Sequence, residues 1–586
     1  MSIVVLLVLA AVLGLGMTGI VIAVRRSPAQ PGSTSTPTAR RVVVYILLFA
    51  LVVIAAIGLS GLLGRALDTG TNLAGNDVTG LARSLAFTLI AGPFAALLWW
   101  VLWRRMADAE RASIAWGLYL ASLQTVALVT AASALLGALA ALVRGDWQPR
   151  TLAVALVWTL VWGWHRRMSR HPSKSPTQLT SVAPILSSIF GLLIGAVGAV
   201  TALASLITAA VDVLLSSIVI GDPWWRLALQ AGVWFLGGTL IWWWQWMRER
   251  ARLVRGVLAD LTLVVLGIAA AAAASLVGTG TVLFVLLRLA FAREHPLGDI
   301  LNPLGTALAT ALVGALVWAY HHGLLRQRAL PTRLAATLVV SGFGLVAAAT
   351  GLGIIVNALL SGLAPVVVGS DTRSLLLGGL SAAIVGGPVW WAAWKPLRPV
   401  DPVSAQVTGR RVYLILIFGI SAIVAIITLL VIGYRIFEFV LDDLSRQSLL
   451  DRVRAPLGLL VATGLAAGYH FSVWRRDRAA LATAGLPGRA IHRVILVTAG
   501  DPTATRDLIV ELTGAAVTVW QRAASPDGTA PLDTAPSDAA PRDTAPRNDV
   551  PPSAERLGLA FAGVTGARVL VVVGVGGSVD VIPLQN

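Results

Sequence analysis

The stretch Leu81–Arg105, LARSLAFTLIAGPFAALLWWVLWRR, constrains this chain more than any other: an arginine, a long apolar run, then tryptophans leading straight into arginines. About twenty apolar residues, at about 1.5 Å each in a helix, span the roughly 30 Å of a bilayer core. Tryptophan beside arginine is what a membrane interface favours. The ending recurs as WTLVWGWHRR (Trp158–Arg167), LIWWWQWMR (Leu240–Arg248), VWAYHHGLLR (Val317–Arg326), VWWAAWK (Val389–Lys395) and YHFSVWRR (Tyr469–Arg476). Each copy therefore reads as a membrane helix ending at a headgroup belt.

Only 12% of the 586 residues are charged and 57% are hydrophobic, against about 25% charged in a soluble domain. The class is an all-α polytopic membrane bundle. The absence of cysteine excludes disulfides, thiolate metal sites and cysteine nucleophiles. A net charge of +17 would point to nucleic acid in a soluble protein. Here the basic residues lie beside apolar runs, which favours membrane topology and anionic lipid headgroups as the partner and argues against nucleic acid.

Residues 1–24 are apolar with no basic residue in front, and Arg25 and Arg26 follow at once. A cleavable signal has its charges first, so the charge order predicts an uncleaved helix with its N-terminus outside, the cleaved signal being the alternative. Residues 25–39, rich in Ser, Thr and Pro, read as a linker.

Between 40 and 478 a two-helix unit repeats about six times. The first helices are expected near 42–64, 112–143, 180–217, 256–288, 334–364 and 412–437. The second begin near Arg83, Arg150, Arg226, Asn302, Arg373 and Arg454. With 1–24 the total is thirteen. The opening arginines are expected to anchor at the outer interface or to pair with an acid nearby in sequence, such as Asp77, Asp146, Asp222, Asp371 or Asp451. The run 151–165 is short for a span, whereas 180–217 is longer than a bilayer requires. Gly191 and Gly195, and Gly342, Gly344, Gly351 and Gly353, have the small-residue spacing that lets helices approach closely, and packing within one bundle is favoured over dimerisation. Loops on the face of the tryptophan clusters hold about 27 Lys and Arg against about five acids, while the opposite loops are balanced, so the basic face is expected to be cytoplasmic.

After a linker at 479–490 the pattern changes to strand, helix, strand: RVILVTAG (Arg493–Gly500), a helix opening at Asp501 and Pro502, and AAVTVWQR (Ala515–Arg522). Residues 523–552, with DTAP twice, are expected to be disordered. A helix over 553–564 and a hairpin over 567–584 turned at Gly576 and Gly577 complete a small α/β domain, 491–586, expected in the cytoplasm.

No residue declares itself catalytic, cofactor-binding or metal-ligating. Asp212, Asp260 and Arg288 lie near helix ends, and Gln124, Thr125, Gln230 and Asn357 read as interhelical hydrogen-bonding residues. His321 and His322 are adjacent and so point about 100° apart on a helix, and with His165 and His470 they read as interface histidines beside arginine. Thr498, Gly500 and Asp501 form a strand-to-helix junction that could offer amides to an anion. The glycines of GVGGS (Gly574–Ser578) precede no lysine or helix and read as a turn.

The pattern of RRVVVYILLFALVVIAAIGL (Arg40–Leu59), an arginine such as Arg83, and GPFAALLWWVLWRR (Gly92–Arg105) resembles the bacterial membrane family known as domain of unknown function 5671 (DUF5671), in several tandem copies over about 40–478. The fourth unit departs from it at Asn302. The resemblance implies the repeat architecture and brings no activity or site. The function it leaves in first place is a non-enzymatic membrane scaffold or sensor presenting the α/β domain from the plasma membrane. A transporter or lipid-handling protein is the alternative.

Overall fold

The structure is a computed structural model. It describes residues 36–584 apart from 69–77, 216–222, 293, 364–371, 398–405, 442–447, 484–490, 492, 499–500, 522–551, 562–563, 565, 567 and 575–577. The helix expected at 1–24, the linker up to residue 35, the expected disordered insertion at 523–552 except for Pro552, and the turn at Gly576 and Gly577 lie outside the described residues. Residues 36–39 belong to the first described helix rather than to a linker. Two units are distinguished, a helical one ending at Phe471 and a C-terminal one from Ser472.

The helical unit is a series of antiparallel pairs: α1 (Thr36–Leu67) with α2 (Val78–Arg104), α3 (Ile114–Leu142) with α4 (Pro149–Ser169), and α5 (Val182–Leu214) with α6 (Trp224–Trp243). Then come α7 (Val257–Phe291) with α8 (Leu297–Leu325), α9 (Leu330–Ser361) with α10 (Thr372–Trp394), and α11 (Gln406–Leu441) with α12 (Leu449–Thr483). Ten of these are long and apolar enough to cross a membrane, all but α4 and α6. In α4 the apolar run is closed in by Arg150 and by His165, Arg166 and Arg167. The many tryptophans of α6 count against it on a hydropathy scale, although a bilayer interface favours them. Helix α12 runs on to Thr483, so the linker expected from 479 begins inside it.

Small residues set the spacing within several of the pairs. A Cβ added at Gly191 of α5 would lie 2.5 Å from the backbone nitrogen of Trp242 in α6, and one at Gly195 would lie 3.1 Å from that of Thr239. In α9, a Cβ at Gly344 would meet the nitrogen of Trp390 at 2.5 Å and one at Gly351 that of Ala383 at 2.5 Å, both in α10. Backbones in such contact gain dispersion that bulkier residues would forbid, which is how helices associate in lipid. The glycines thus pack helices of one chain together. Gly353 faces the other way, against Gly458 of α12.

Between pairs the rule is regular: the first helix of each pair packs on the second helix of the next. The contacts run α1 to α4, α3 to α6, α5 to α8 and α7 to α10, and the Gly353–Gly458 approach adds α9 to α12. This stagger changes the partners of the opening arginines. Arg150 pairs with Asp68 at the end of α1, at 2.9 Å, while Asp146 is taken by Arg144. Arg373 reaches back to Glu294 just past α7, at 2.5 Å, and donates to the Phe291 carbonyl. Arg454 keeps an acid of its own helix, Asp451, at 3.6 Å. Register between pairs is set by packing, so the nearest acid in sequence was a poor guide. Asp77, Asp222 and Asp371 lie outside the described residues.

The C-terminal unit has strands β1 (Arg493–Thr498), β2 (Ala516–Gln521), β3 (Arg568–Val573) and β4 (Val579–Leu584) in the order β2-β1-β3-β4. β1 is parallel to both neighbours, and β3 and β4 form an antiparallel hairpin. Alternate residues Val494, Leu496, Val569 and Val571 are wholly buried against Ile509 of α13 (Pro502–Thr513) and Leu557 of α14 (Ala554–Phe561). Pro583 is tolerated because β4 is an edge strand, where a missing amide breaks no ladder.

Asp501 caps α13 as its sequence predicts, accepting from the Thr503 hydroxyl at 2.6 Å and the Thr503 amide at 3.0 Å, and Gly514 closes the other end in the left-handed region, φ 61°. The Thr503 hydroxyl, then its amide, holds the Asp501 carboxyl below its ordinary value of 3.8. A carboxylate with a depressed folded-state pKa contributes stability above the unfolded value and loses it as pH falls through the folded one. Asp501→Ala is therefore expected to speed hydrogen exchange in the first turn of α13 at pH 7 relative to the parent. The difference should close as pH drops below 3.8; a difference that persists unchanged in acid would show that the cap acts through something other than the carboxylate.

Candidate functional site

The polar groups that come together in the helical unit do so three times, at the tryptophan-bearing helix ends. In every odd pair the second helix, with the turn Trp244–Arg248 that continues α6, ends with two tryptophans four residues apart, Trp99 and Trp103, Trp242 and Trp246, or Trp390 and Trp394. In every even pair the second helix carries instead an aromatic residue followed by histidine: Trp164–His165, Tyr320–His321 and Tyr469–His470. Tryptophans at i and i+4 share a helix face, and the Trp99–Trp103 and Trp242–Trp246 rings stack at 6.0 and 6.4 Å. The histidine of the next pair is brought against that face, with ring centroids 5.8 Å apart for Trp99–His165 and 5.7 Å for both Trp246–His321 and Trp394–His470.

These histidines are 3%, 3% and 0% exposed, enclosed by neighbouring helices at the tryptophan-bearing ends. Their Nδ1 atoms lie 2.7, 2.8 and 2.8 Å from the carbonyls of Val161, Val317 and Ala466, one turn back. A carbonyl only accepts, so Nδ1 donates and Nε2 of the neutral ring is left as an acceptor. The three copies use that acceptor differently. Tyr119 of α3 donates to His165 Nε2 at 3.1 Å. His321 lines a cavity of about 10 Å³, the room of one water molecule, together with Ser188, Thr262 and Trp246. His470 Nε2 has no partner among the described residues. In the second and third clusters Trp246 donates to Tyr320 and Trp394 to Tyr469, each at 2.9 Å. His322, by contrast, is exposed and stacks on Trp318 at 4.8 Å, as adjacent helical positions require.

Around the clusters lies a layer of ion pairs. Glu249 is held by both Arg166 and Arg170 and accepts from Trp244 Nε1 at 3.2 Å, while Arg166 covers the rings of Trp162 and Trp244. Arg328, in the turn between α8 and α9, has a side chain only 2% exposed. It donates to the carbonyls of Val254 at 2.6 Å and Arg252 at 3.1 Å and meets Asp260 at 3.1 Å, and Thr332 also donates to Asp260. Burial, then the nearby Arg255, lowers the pKa of Arg328, and Asp260 opposes them.

The remaining residues singled out in the sequence scatter. Gln230 accepts from Arg144 across helices at 3.4 Å, as expected. Thr125 instead donates to Ala121 of its own helix, and Asn357 Oδ1 is buried with no hydrogen-bond partner among the described residues. Asp212 and Gln124 are half-buried. Thr498 is buried at the end of β1, Asp501 is occupied with its cap, and Gly500 lies outside the described residues. Among the described residues no group of three or more His, Asp or Glu could hold a metal ion. The alternation of paired tryptophans with aromatic-histidine was present in the sequence, but reading every helix end as one repeated ending concealed it.

The geometry therefore defines a multi-helix membrane protein whose repeating module is four helices, two consecutive pairs joined at one Trp/His cluster. The model of the family described as domain of unknown function (DUF5671) matches residues 41–164 and 335–465, two copies of the domain. Those stretches run from α1 into α4 and from α9 into α12, so a domain copy is two pairs and not one. The intervening helices α5–α8 build the same cluster without matching. No curated protein and no solved structure matches the chain.

Proposed function

We propose that the chain is a non-enzymatic scaffold or sensor of a bacterial plasma membrane. In this reading its tandem four-helix modules hold the C-terminal α/β unit at the basic, cytoplasmic face, with the N-terminus outside. One observation carries the reading: polar groups are spent on structure. Charged side chains are confined to the end regions of the described helices. Within the spans Ser60, Thr125 and Thr428 donate to carbonyls of their own helices. A charge at the bilayer centre costs at least about 2.5–3.5 kcal/mol and marks ion and proton paths, and the central parts of these helices carry none. The basic loops favour anionic headgroups and no nucleic acid.

Capture of partners by the full-length purified protein, beside a chain ending at Thr483, tests the reading when combined with flux measurements in liposomes. The scaffold predicts a partner set that depends on residues after Thr483 and liposomes that stay closed. Flux of an ion, solute or lipid through the reconstituted protein would replace it with the transporter or lipid-handling alternative. An identical partner set from the shortened chain would remove the α/β unit from the proposal.

A further inference from the structure

An apolar groove of about 410 Å³ opens between α7, α9 and α10, in the roughly 300–1,000 Å³ range of ligand sites. Its walls include Val277 and Phe284 of α7, Phe343 and Val346 of α9, and Gly378 of α10. Val277 and Val346 are 67% and 61% exposed, so the groove opens outward from the packed helices. Two of its hydroxyls are satisfied along their own helices: Thr281 donates to Val277 at 2.9 Å and Ser381 to Gly378 at 2.8 Å. Glycine keeps it open, since a Cβ at Gly280 would meet nothing within 4 Å. At this depth the surrounding molecules are hydrocarbon chains, which such a wall solvates without leaving a polar group unmet.

One end of the groove is charged. Arg288 follows Phe284 by one helical turn, its guanidinium carbon 5.6 Å from the centre of that ring, and its buried Nε has no hydrogen-bond partner among the described residues. The acid close by in the chain, Glu294, is engaged by Arg373. Arg288 is thus a cation one turn beyond the apolar slot. We propose that this groove binds one anionic phospholipid, an acyl chain lying between Phe284, Phe343 and Val346 and the phosphate accepting from Arg288. The site does not depend on the scaffold reading, because it is built entirely within α7, α9 and α10.

The test is native mass spectrometry of the full-length protein exchanged into mild detergent with equal amounts of phosphatidylglycerol and phosphatidylcholine. The parent should retain one phosphatidylglycerol in preference to phosphatidylcholine by about tenfold, the scale of one charge-assisted hydrogen bond. Arg288→Gln should bring the two lipids to parity. Val277→Trp, at a position exposed enough to accept the ring without repacking, should reduce retention of both. A phosphatidylglycerol with a diazirine on its acyl chain, used on the parent alone, should crosslink to peptides containing Val277–Phe284 and Phe343–Thr350. Equal retention of the two lipids by the parent would overturn the charge recognition. Retention unchanged by Val277→Trp, or crosslinks spread evenly over the helices, would overturn the groove.

Discussion

Gly351→Ala is expected to lower the thermal midpoint of the detergent-purified protein, and Gly351→Leu to lower it further, whereas Gly419→Ala leaves it unchanged or raises it. On an isolated helix glycine to alanine is favourable by about 1 kcal/mol. At Gly351 the added Cβ would sit 2.5 Å from the Ala383 nitrogen and 2.6 Å from the Gly379 carbonyl, both backbone atoms of α10 that cannot swing aside. Forcing apart a packed interface costs about 1–3 kcal/mol, and leucine at a backbone contact belongs at the top of that range. Gly419 has nothing within 4 Å of its Cβ. Tryptophan fluorescence during heating reads all three variants. Shifts of the same sign at Gly351 and Gly419 would mean that close helix approach is not what holds these pairs together.

Arg328→Ala is expected to destabilise the fold by about 3 kcal/mol, the lower end of the range for removing one partner of a buried ion pair, because Asp260 stays 30% exposed. The variant strands a carboxylate and two carbonyls, those of Val254 and Arg252, that now share one guanidinium. Arg328→Lys should recover little, since an ammonium cannot reach three acceptors in one plane. Removing the acid as well, in Asp260→Asn with Arg328→Ala, should give back part of the loss. Denaturation midpoints of the four proteins form a cycle; additive effects of the two single changes would show that the residues do not act as a pair.

What could be read from the sequence followed from local physics. The helices, their paired order, the cap at Asp501 and the strand-helix-strand unit all rest on periodicity and short-range chemistry, and among the described residues they lie close to where they were expected. The glycine spacing at Gly191 and Gly195 announced close packing, though not that α6 was the partner. Long-range choices were invisible. Nothing near Arg150 says that Asp68 outcompetes Asp146, because the choice depends on α1 lying against α4. The enclosure of the histidines was hidden for a related reason: only the fold brings a neighbouring tryptophan pair over the imidazole whose Nδ1 bonds the i−4 carbonyl. The domain repeat of four helices required noticing that alternate endings differ, W-x-x-x-W against aromatic-His.

The stagger by which each first helix packs on the second helix of the next pair has a consequence for biosynthesis. As the chain leaves the ribosome, α1 can close on α2 at once, but its other flank waits for α4, and α3 waits in turn for α6. Every hairpin therefore enters the bilayer with one unfinished side that its successor completes, so assembly proceeds in the direction of translation and lags it by a single hairpin. α11 has no successor in the chain, and it is lined with outward-facing Ile415, Ile420, Ile423, Ile426 and Leu430, all more than half exposed. In an array built this way, a duplicated module inserted into the gene would extend the series without disturbing the hairpins already laid down.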